Sequence, residues 1–341
     1  MRRIIRSLLL GVGLAALASG GLTAAAQAAP TYSVIDHIPG PDGRWDYASF
    51  DPVRRRVYIA HGTAVTAIDV DTKAVTAALA KGAGLHSAFA LPGGDVLVTT
   101  NGATSAVEFI DAGSGAVLAT VAVGKGPDAA IFDPGTGLVL VMNGHEGDIS
   151  LIDPVLRKVT GAISVGGALE FAAADGAGRA YVNIEDKGEI AVLDLKAKSV
   201  LARYPLKGCE EPSGLIFARQ AGVLISACAN GMAKVIRAAT GEAVATLSIG
   251  EKPDAVLWDE ARNLAFIPSG GAGTLSVIAV RGPNDVAVIQ TVATQVGART
   301  GALDPRTGRI YLPTAKFQPA PNGGRPTISP GSFEVLVVAP N

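Results

Sequence analysis

One phrase recurs along this 341-residue chain at a nearly constant step: an apolar residue, Asp, a Thr- or Gly-rich turn, then a second apolar run. It stands at Val65–Asp69, Val107–Asp111, Ile149–Asp153 and Ile190–Asp194, and its register continues in degenerate form at Arg237 and Ala279. The steps are 42, 42, 41, 43 and 42 residues. A second phrase, a turn with Phe-Asp-Pro or a relative of it, falls at Asp51, Leu91, Asp133, Asp175, Ala218, Asp259 and Asp304, so seven copies are present. A fixed period of this length restricts the fold to arrays in which each repeat is one supersecondary unit that buries its apolar face against its neighbours.

Between the two phrases lie apolar, β-branched runs such as Val57–Ala60, Val96–Thr99, Leu138–Val141, Val223–Ser226 and Ile310–Leu312. The chain has 42 glycines and 20 prolines but only 17 aromatic residues, a balance that suits short strands joined by tight turns and argues against a helical bundle. Each copy therefore predicts about four strands, and the fold class is all-β: a seven-bladed β-propeller of four-stranded antiparallel blades. The last copy ends at Phe333–Val338 with a third strand and no fourth, while Thr31–His37 is an orphan strand of the fourth-strand type. This N-terminal strand is expected to close the last blade as a clasp, with His37 in a structural part.

Residues 1–28 read as a cleaved signal peptide, leaving 29–341 as a single propeller domain. Arg2, Arg3 and Arg6 supply the positive n-region, Leu8–Ala18 the short apolar stretch and Ala26–Ala28 the small residues of a cleavage site. The apolar stretch falls short of the roughly 20 residues a membrane span needs, and no later one reaches that length. The expected location is the periplasm. With 29 basic and 30 acidic residues overall, no positive field exists to draw in nucleic acid.

Arg56–Ile59, Arg179–Asn183 and Ile149–Asp153 resemble the repeat phrase of YVTN-type β-propellers, the YncE-like family of WD40-like repeat proteins. The opening turn Gly126-Pro127-Asp128 and Gly124 at a repeat's end match as well, and the resemblance covers the whole of the chain after residue 28. It implies the propeller fold and a role ranging from ligand or nucleic-acid binding to scaffolding.

Aligning the copies exposes two polar rings. Five residues before each Asp-Pro-type anchor lie Asp46, His86, Asp128, Glu170, Ser213, Asp254 and Arg299. Fifteen residues after each of these lie His61, Asn101, Asn143, Glu185, Cys228, Ser269 and Thr314. Both rings should sit at one mouth of the central channel, where function in a ring-shaped fold concentrates. Asp, Ser and Asn at strand ends also satisfy free backbone amides, so departures from the repeat carry the information. Those departures are Trp45, Asp46 and Tyr47 at the first opening, then His61, His86, Glu170, Glu185 and Arg299. The expected ligand-binding set is Trp45, Asp46, His61, His86, Asp128, Glu170, Glu185, Glu210, Glu211, Asp254 and Arg299. Imidazole with carboxylate suits Zn, Mn or Fe, and His61, His86 and Glu170 are the expected ligands if a divalent metal is the cofactor. His145 and Glu146, in a loop beside the ring, could join them.

Cys209 and Cys228 are the only cysteines, and Cys209-Glu210-Glu211 precedes the same hairpin that Cys228 ends. An exported chain favours a disulfide here, which would hold Glu210 and Glu211 at the mouth; a thiolate pair on copper or zinc is the alternative. The last copy carries an insertion at about 315–331, with Phe317 and Arg325 expected over the channel or simply on the surface. The sequence favours a binding protein, a monomer with no membrane span, that takes a small-molecule ligand or a periplasmic partner at its polar mouth. A lactonase-like, metal-dependent hydrolase at the same mouth is the alternative, with Glu170 or Glu185 as metal ligand and His61 or His86 as general base. Single-strand nucleic-acid binding ranks last, because Trp45 and Tyr47 are the only nearby aromatic cluster and the mouth is acidic.

Overall fold

The protein is described by a computed structural model for residues 30–319 and 326–341; the expected signal peptide, 1–28, and Arg325 lie outside the described residues. The described residues are all-β. β1 (Tyr32–Pro39) comes first. β2 (Ala48–Asp51), β3 (Arg56–Asp69), β4 (Val75–Ala90), β5 (Val96–Asn101), β6 (Ala106–Asp111) and β7 (Val117–Ala122) form one six-stranded sheet in that order. Four-stranded sheets follow from β8 (Pro127–Asp133), β9 (Leu138–Asn143), β10 (Asp148–Asp153) and β11 (Lys158–Ser164), and from β12 (Leu169–Ala174), β13 (Arg179–Ile184), β14 (Glu189–Asp194) and β15 (Ser199–Pro205). The next two comprise β16 (Pro212–Ala218), β17 (Val223–Cys228), β18 (Met232–Arg237) and β19 (Ala243–Ser248), then β20 (Leu257–Asp259), β21 (Leu264–Ser269), β22 (Thr274–Gly282) and β23 (Asp285–Ala293). β24 (Ala302–Asp304) and β25 (Arg309–Thr314) precede a small hairpin of β26 (Phe317–Gln318) and β27 (Thr327–Ile328), and β28 (Glu334–Pro340) ends the chain.

β1 pairs antiparallel with β28, from Tyr32 opposite Pro340 to Pro39 opposite Glu334, completing the sheet β1-β28-β25-β24. The first and last strands of the described residues thus share one sheet. The side-chain amide of Gln290, on the neighbouring sheet, accepts from the N–H of Tyr32 and donates to its carbonyl, both at 2.8 Å. Tyr32 packs edge-on to Phe266 and is almost wholly buried.

Seven sequence copies yield six large sheets rather than seven separate ones. β3 and β4 run for 14 and 16 residues, about twice the usual length here, and so join the first two copies. The N–H of Val70 donates to the carbonyl of Arg55, the same closure that Ala112 makes with Asp95 and Leu195 with Gly178, so β3 folds back on itself. β4 pairs with β3 through Val75–Lys81 and again at Leu85, opposite Gly62, and with β5 through Leu85–Ala90. The strands that open the copies touch one another in a closed cycle: β2, β4, β8, β12, β16, β20, β24 and back to β2.

Burial follows position within each sheet. β9 and β13 are buried on both faces, whereas the fourth strand β15 alternates exposed and half-buried residues. Radial stacking supplies that second apolar face, which strands this short could not cover alone. The repeated Asp residues serve the turns. Asp69, Asp111, Asp153 and Asp194 each accept the N–H groups two and three residues ahead through Oδ1, the local bond that makes Asp a turn former.

Candidate functional site

The first polar ring assembles where the opening strands begin. Asp46 and Arg299 stand just ahead of β2 and β24, Asp128 and Glu170 stand at the starts of β8 and β12, and His86 lies within β4 where its pairing with β5 begins. Backbone bonds lock these segments together: Tyr47 N–H donates to the His86 carbonyl at 3.0 Å, Asp254 N–H to that of Arg299 at 3.1 Å, and Thr300 Oγ1 to that of Asp46 at 2.8 Å. Thr100 Oγ1 donates to the Asp128 carbonyl at 2.6 Å, and Ser213 Oγ to that of Pro253 at 3.0 Å.

The side chains then make a chain of charges. His86 Nδ1 lies 2.8 Å from Asp46 Oδ2 and 3.6 Å from Asp128 Oδ1. Arg299 Nη2 lies 3.7 Å from Asp46 Oδ1, and Arg299 Nε lies 2.7 Å from Asp254 Oδ2. The second contact is an ion pair by distance, since the N–H is not aimed well enough to count as a hydrogen bond. A recess of about 180 Å³ opens beside His86, Asp128, His145, Glu170 and Glu185. Tyr47, buried among Ala129, Leu169 and Ala172, reaches across the interior so that its Oη donates to Glu170 Oε2 at 3.3 Å, with Phe171 against its ring.

Carboxylates outnumber cations here, and their titration shows it. Burial pushes Asp128 up to about 7, Asp46 adds to the rise and His86 opposes it. Burial also carries Glu170 to about 9, with Asp128 and Asp254 adding like-charge repulsion. Asp254 rises to about 6 through burial, against the pull of Arg299. Glu185 is raised by burial and by Glu211. The hydrogen bond to Asp46 raises His86. These are the directions expected for groups that share too few counter-charges in a partly desolvated site.

The second ring is mostly framework. Asn101 and Asn143 are buried, and each bonds within its own hairpin or the loop beside it. His61 is 7% exposed; its Nδ1 meets Thr66 Oγ1 at 3.0 Å, its ring lies against Phe333, and burial lowers its pKa. The expected metal trio of His61, His86 and Glu170 is therefore not brought together. Among the described residues, the ligand atoms that converge are those of Asp46, His86 and Asp128, all within 4.8 Å of one another. Trp45 is buried against Phe333, 5.3 Å between ring centres, with Phe317 at 6.1 Å. Phe317 is 42% exposed at the base of the inserted hairpin.

Cys209 and Cys228 form a disulfide, with Cα atoms 5.3 Å apart. The bridge fixes the loop before β16 to the end of β17. Glu210 and Glu211 are exposed there, and Glu211 adopts φ 47°. His37 pairs with Glu334 across the clasp at 3.1 Å, in keeping with a structural part. No helix among the described residues is long and apolar enough to cross a membrane.

Solved structures share the architecture. A chain of a mitotic checkpoint complex superposes with a TM-score of 0.74 at 14% identity, over 97% of this chain and 99% of that one. A chain of the Kuenenia stuttgartiensis hydrazine synthase gives 0.67 at 16% identity, over 81% and 92%. This chain is a β-propeller. Identities this low speak to the propeller fold alone. No family profile and no curated protein sequence matches it.

Proposed function

We propose that this propeller is an exported, seven-bladed, YncE-like monomer that binds a positively charged small molecule, or a partner presenting a cationic side chain, at its acidic mouth. The closed cycle of seven opening strands supports the blade count, with the six-stranded sheet as two blades joined by β3 and β4. The disulfide supports an oxidising compartment such as the periplasm. One observation carries the binding reading. Asp128, Glu170, Glu185 and Asp254 are all raised, and burial is the largest cause in each. A cation entering the recess would favour the ionised carboxylates that burial disfavours, so the site is selective by charge before it is selective by shape. Asp46, His86 and Arg299 would frame the ligand, with Glu210 and Glu211 at the rim. The same acidity opposes nucleic acid.

The test is a thermal-shift screen of matched cationic and anionic small molecules on the wild type and on Asp128→Asn/Glu170→Gln. Ligands should raise the melting temperature of the wild type selectively when cationic, by the mass-action term that grows with concentration over Kd. The double variant should lose the shift. Equal response to anions, or an unchanged response in the variant, would reject the reading. A metal-dependent hydrolase is the second reading, favoured by the convergence of Asp46, His86 and Asp128; a bound cation there could activate water beside Glu170.

A further inference from the structure

Among the side chains at the mouth, one trio stands apart from the general excess of carboxylates because it includes an oriented imidazole. We propose that Asp46, His86 and Asp128 form a divalent transition-metal site, with its remaining coordination positions facing the recess. The inference rests on the mouth being the binding face and names a cation class for it.

The geometry supports three ligands on one ion. His86 presents Nδ1 to both carboxylates, at 2.8 and 3.6 Å, and all three ligand atoms fall within 4.8 Å of one another. Nitrogen and oxygen ligands of Zn stand about 2.0–2.2 Å from the metal, and an ion here would take the place of the proton that Nδ1 shares with Asp46 Oδ2. The three residues come from three successive strand openings whose main chains are bonded to neighbours at 2.6–3.0 Å, so the ligand positions are set before any ion arrives.

Gly102 accommodates the ring. A Cβ at this position would lie 2.8 Å from His86 Nε2 and 2.9 Å from Cδ2. Gly102 thus leaves room for the imidazole, as Gly43 does for His61, and the contact with Asp46 turns Nδ1 toward the carboxylates. Carboxylates alone would suit Ca²⁺ or Mg²⁺; the imidazole moves the preference to Zn²⁺, Mn²⁺ or Co²⁺. Three protein ligands and an open side are the pattern of an exchange or catalytic site rather than a closed structural one.

The test uses the full exported chain after chelator treatment, titrated calorimetrically with Zn²⁺ and followed spectroscopically with Co²⁺. One equivalent of Zn²⁺ should bind, and Co²⁺ should develop visible absorption bands. Asp128→Asn, which conserves volume, and His86→Ala should each weaken Zn²⁺ by about 10-fold or more, and His86→Ala should shift or abolish the Co²⁺ bands. Absence of stoichiometric Zn²⁺ binding, or binding unchanged in both His86→Ala and Asp128→Asn, would overturn the proposal. Organic cations that still bind the metal-free wild type would then leave the broader reading standing. Zn²⁺ binding without any response to organic cations would support the metal site and reject the broader reading.

Discussion

Aspartate serves opposite purposes at the two ends of this propeller. At the end remote from the mouth, Asp69, Asp111 and Asp304 all titrate below the ordinary carboxylate range. For Asp69 the main cause is the Thr72 N–H, and for Asp111 the Ser114 N–H. Burial of Asp304 works the other way and is overcome by hydrogen bonds from Arg55, Thr307 and Arg306. At the mouth, Asp128 and Asp254 are raised. The far-end residues keep the repeat and are fully occupied in holding turns. The mouth residues belong to a ring whose chemistry changes from copy to copy, and they share two cations: Asp254 has Arg299 at 2.7 Å and Asp128 has His86 at 3.6 Å. The far-end Asp recurs through the first four copies of its phrase before giving way to Arg237 and Ala279, whereas the mouth position changes its chemistry from Asp46 to His86 between the first copy and the second.

The largest effect tests whether both ends belong to one closed ring. Deleting residues 31–39 removes β1, the pairing with β28 and the latch from Gln290. Tyr32 and Ile38 are almost wholly buried, and burial of such side chains is worth about 2 kcal/mol each before any backbone pairing is considered. Circular dichroism should show the cooperative thermal transition lost or displaced by well over about 10 °C. A cooperative melt within a few degrees of wild type would mean that the clasp is dispensable and that the ends are independent.

A smaller effect separates the two kinds of aspartate directly. Asp304→Asn weakens the ion pair to Arg55 Nη1 at 2.7 Å and the bond from Thr307 Oγ1 at 2.8 Å, both on a fully buried side chain. It should destabilise by about 2 kcal/mol in chemical denaturation. Asp128→Asn has the same chemistry and should be neutral or stabilising at pH 8, because it removes a charge crowded by Asp46 and Asp254. Equal losses at the two positions would erase the distinction between the ends.

Much of the framework was legible in the sequence because it depends on local chemistry repeated many times. Turn-forming Asp and β-branched runs call for short strands joined by turns, their fixed period calls for a stacked array, and the unpaired strand at Thr31–His37 calls for a partner in the last copy. The Cys209–Cys228 bridge was legible from chain position. The site was legible as a ring but not as a constellation. Spacing places His61 and His86 equally well at a mouth, yet it does not say which way a side chain turns. His61 ends a strand that folds straight back, so its ring is drawn to Thr66 and Phe333. His86 lies within β4 where the strand passes from β3 to β5, and it turns toward Asp46. The reach of Tyr47 to Glu170 depends on the ring's diameter, which no single repeat encodes. Seven copies became six sheets for a similar reason: the strand extensions at β3 and β4 depend on how two hairpins meet.

The smallest effect is a pH dependence, and its sign follows from the same contrast. Asp128, Glu170 and Asp254 have folded-state values of about 7, 9 and 6, against about 4 when unfolded. The native state therefore binds protons more tightly than the unfolded chain. The stability these groups contribute is complete below pH 4 and is lost as pH rises through 6, 7 and 9. Raised His86 acts in the same direction. Asp69 and Asp304 are depressed, so their contribution is present above pH 4 and lost as pH falls below it. The two ends together place the optimum in weak acid, and the melting temperature should fall by about 2–5 °C between pH 5.5 and 8.5. Asp128→Asn/Glu170→Gln should flatten that decline, whereas Asp304→Asn should leave its slope unchanged. A melting temperature that rises across this interval would show that the mouth carboxylates are already neutralised, and the charge contrast between the two ends would have to be abandoned.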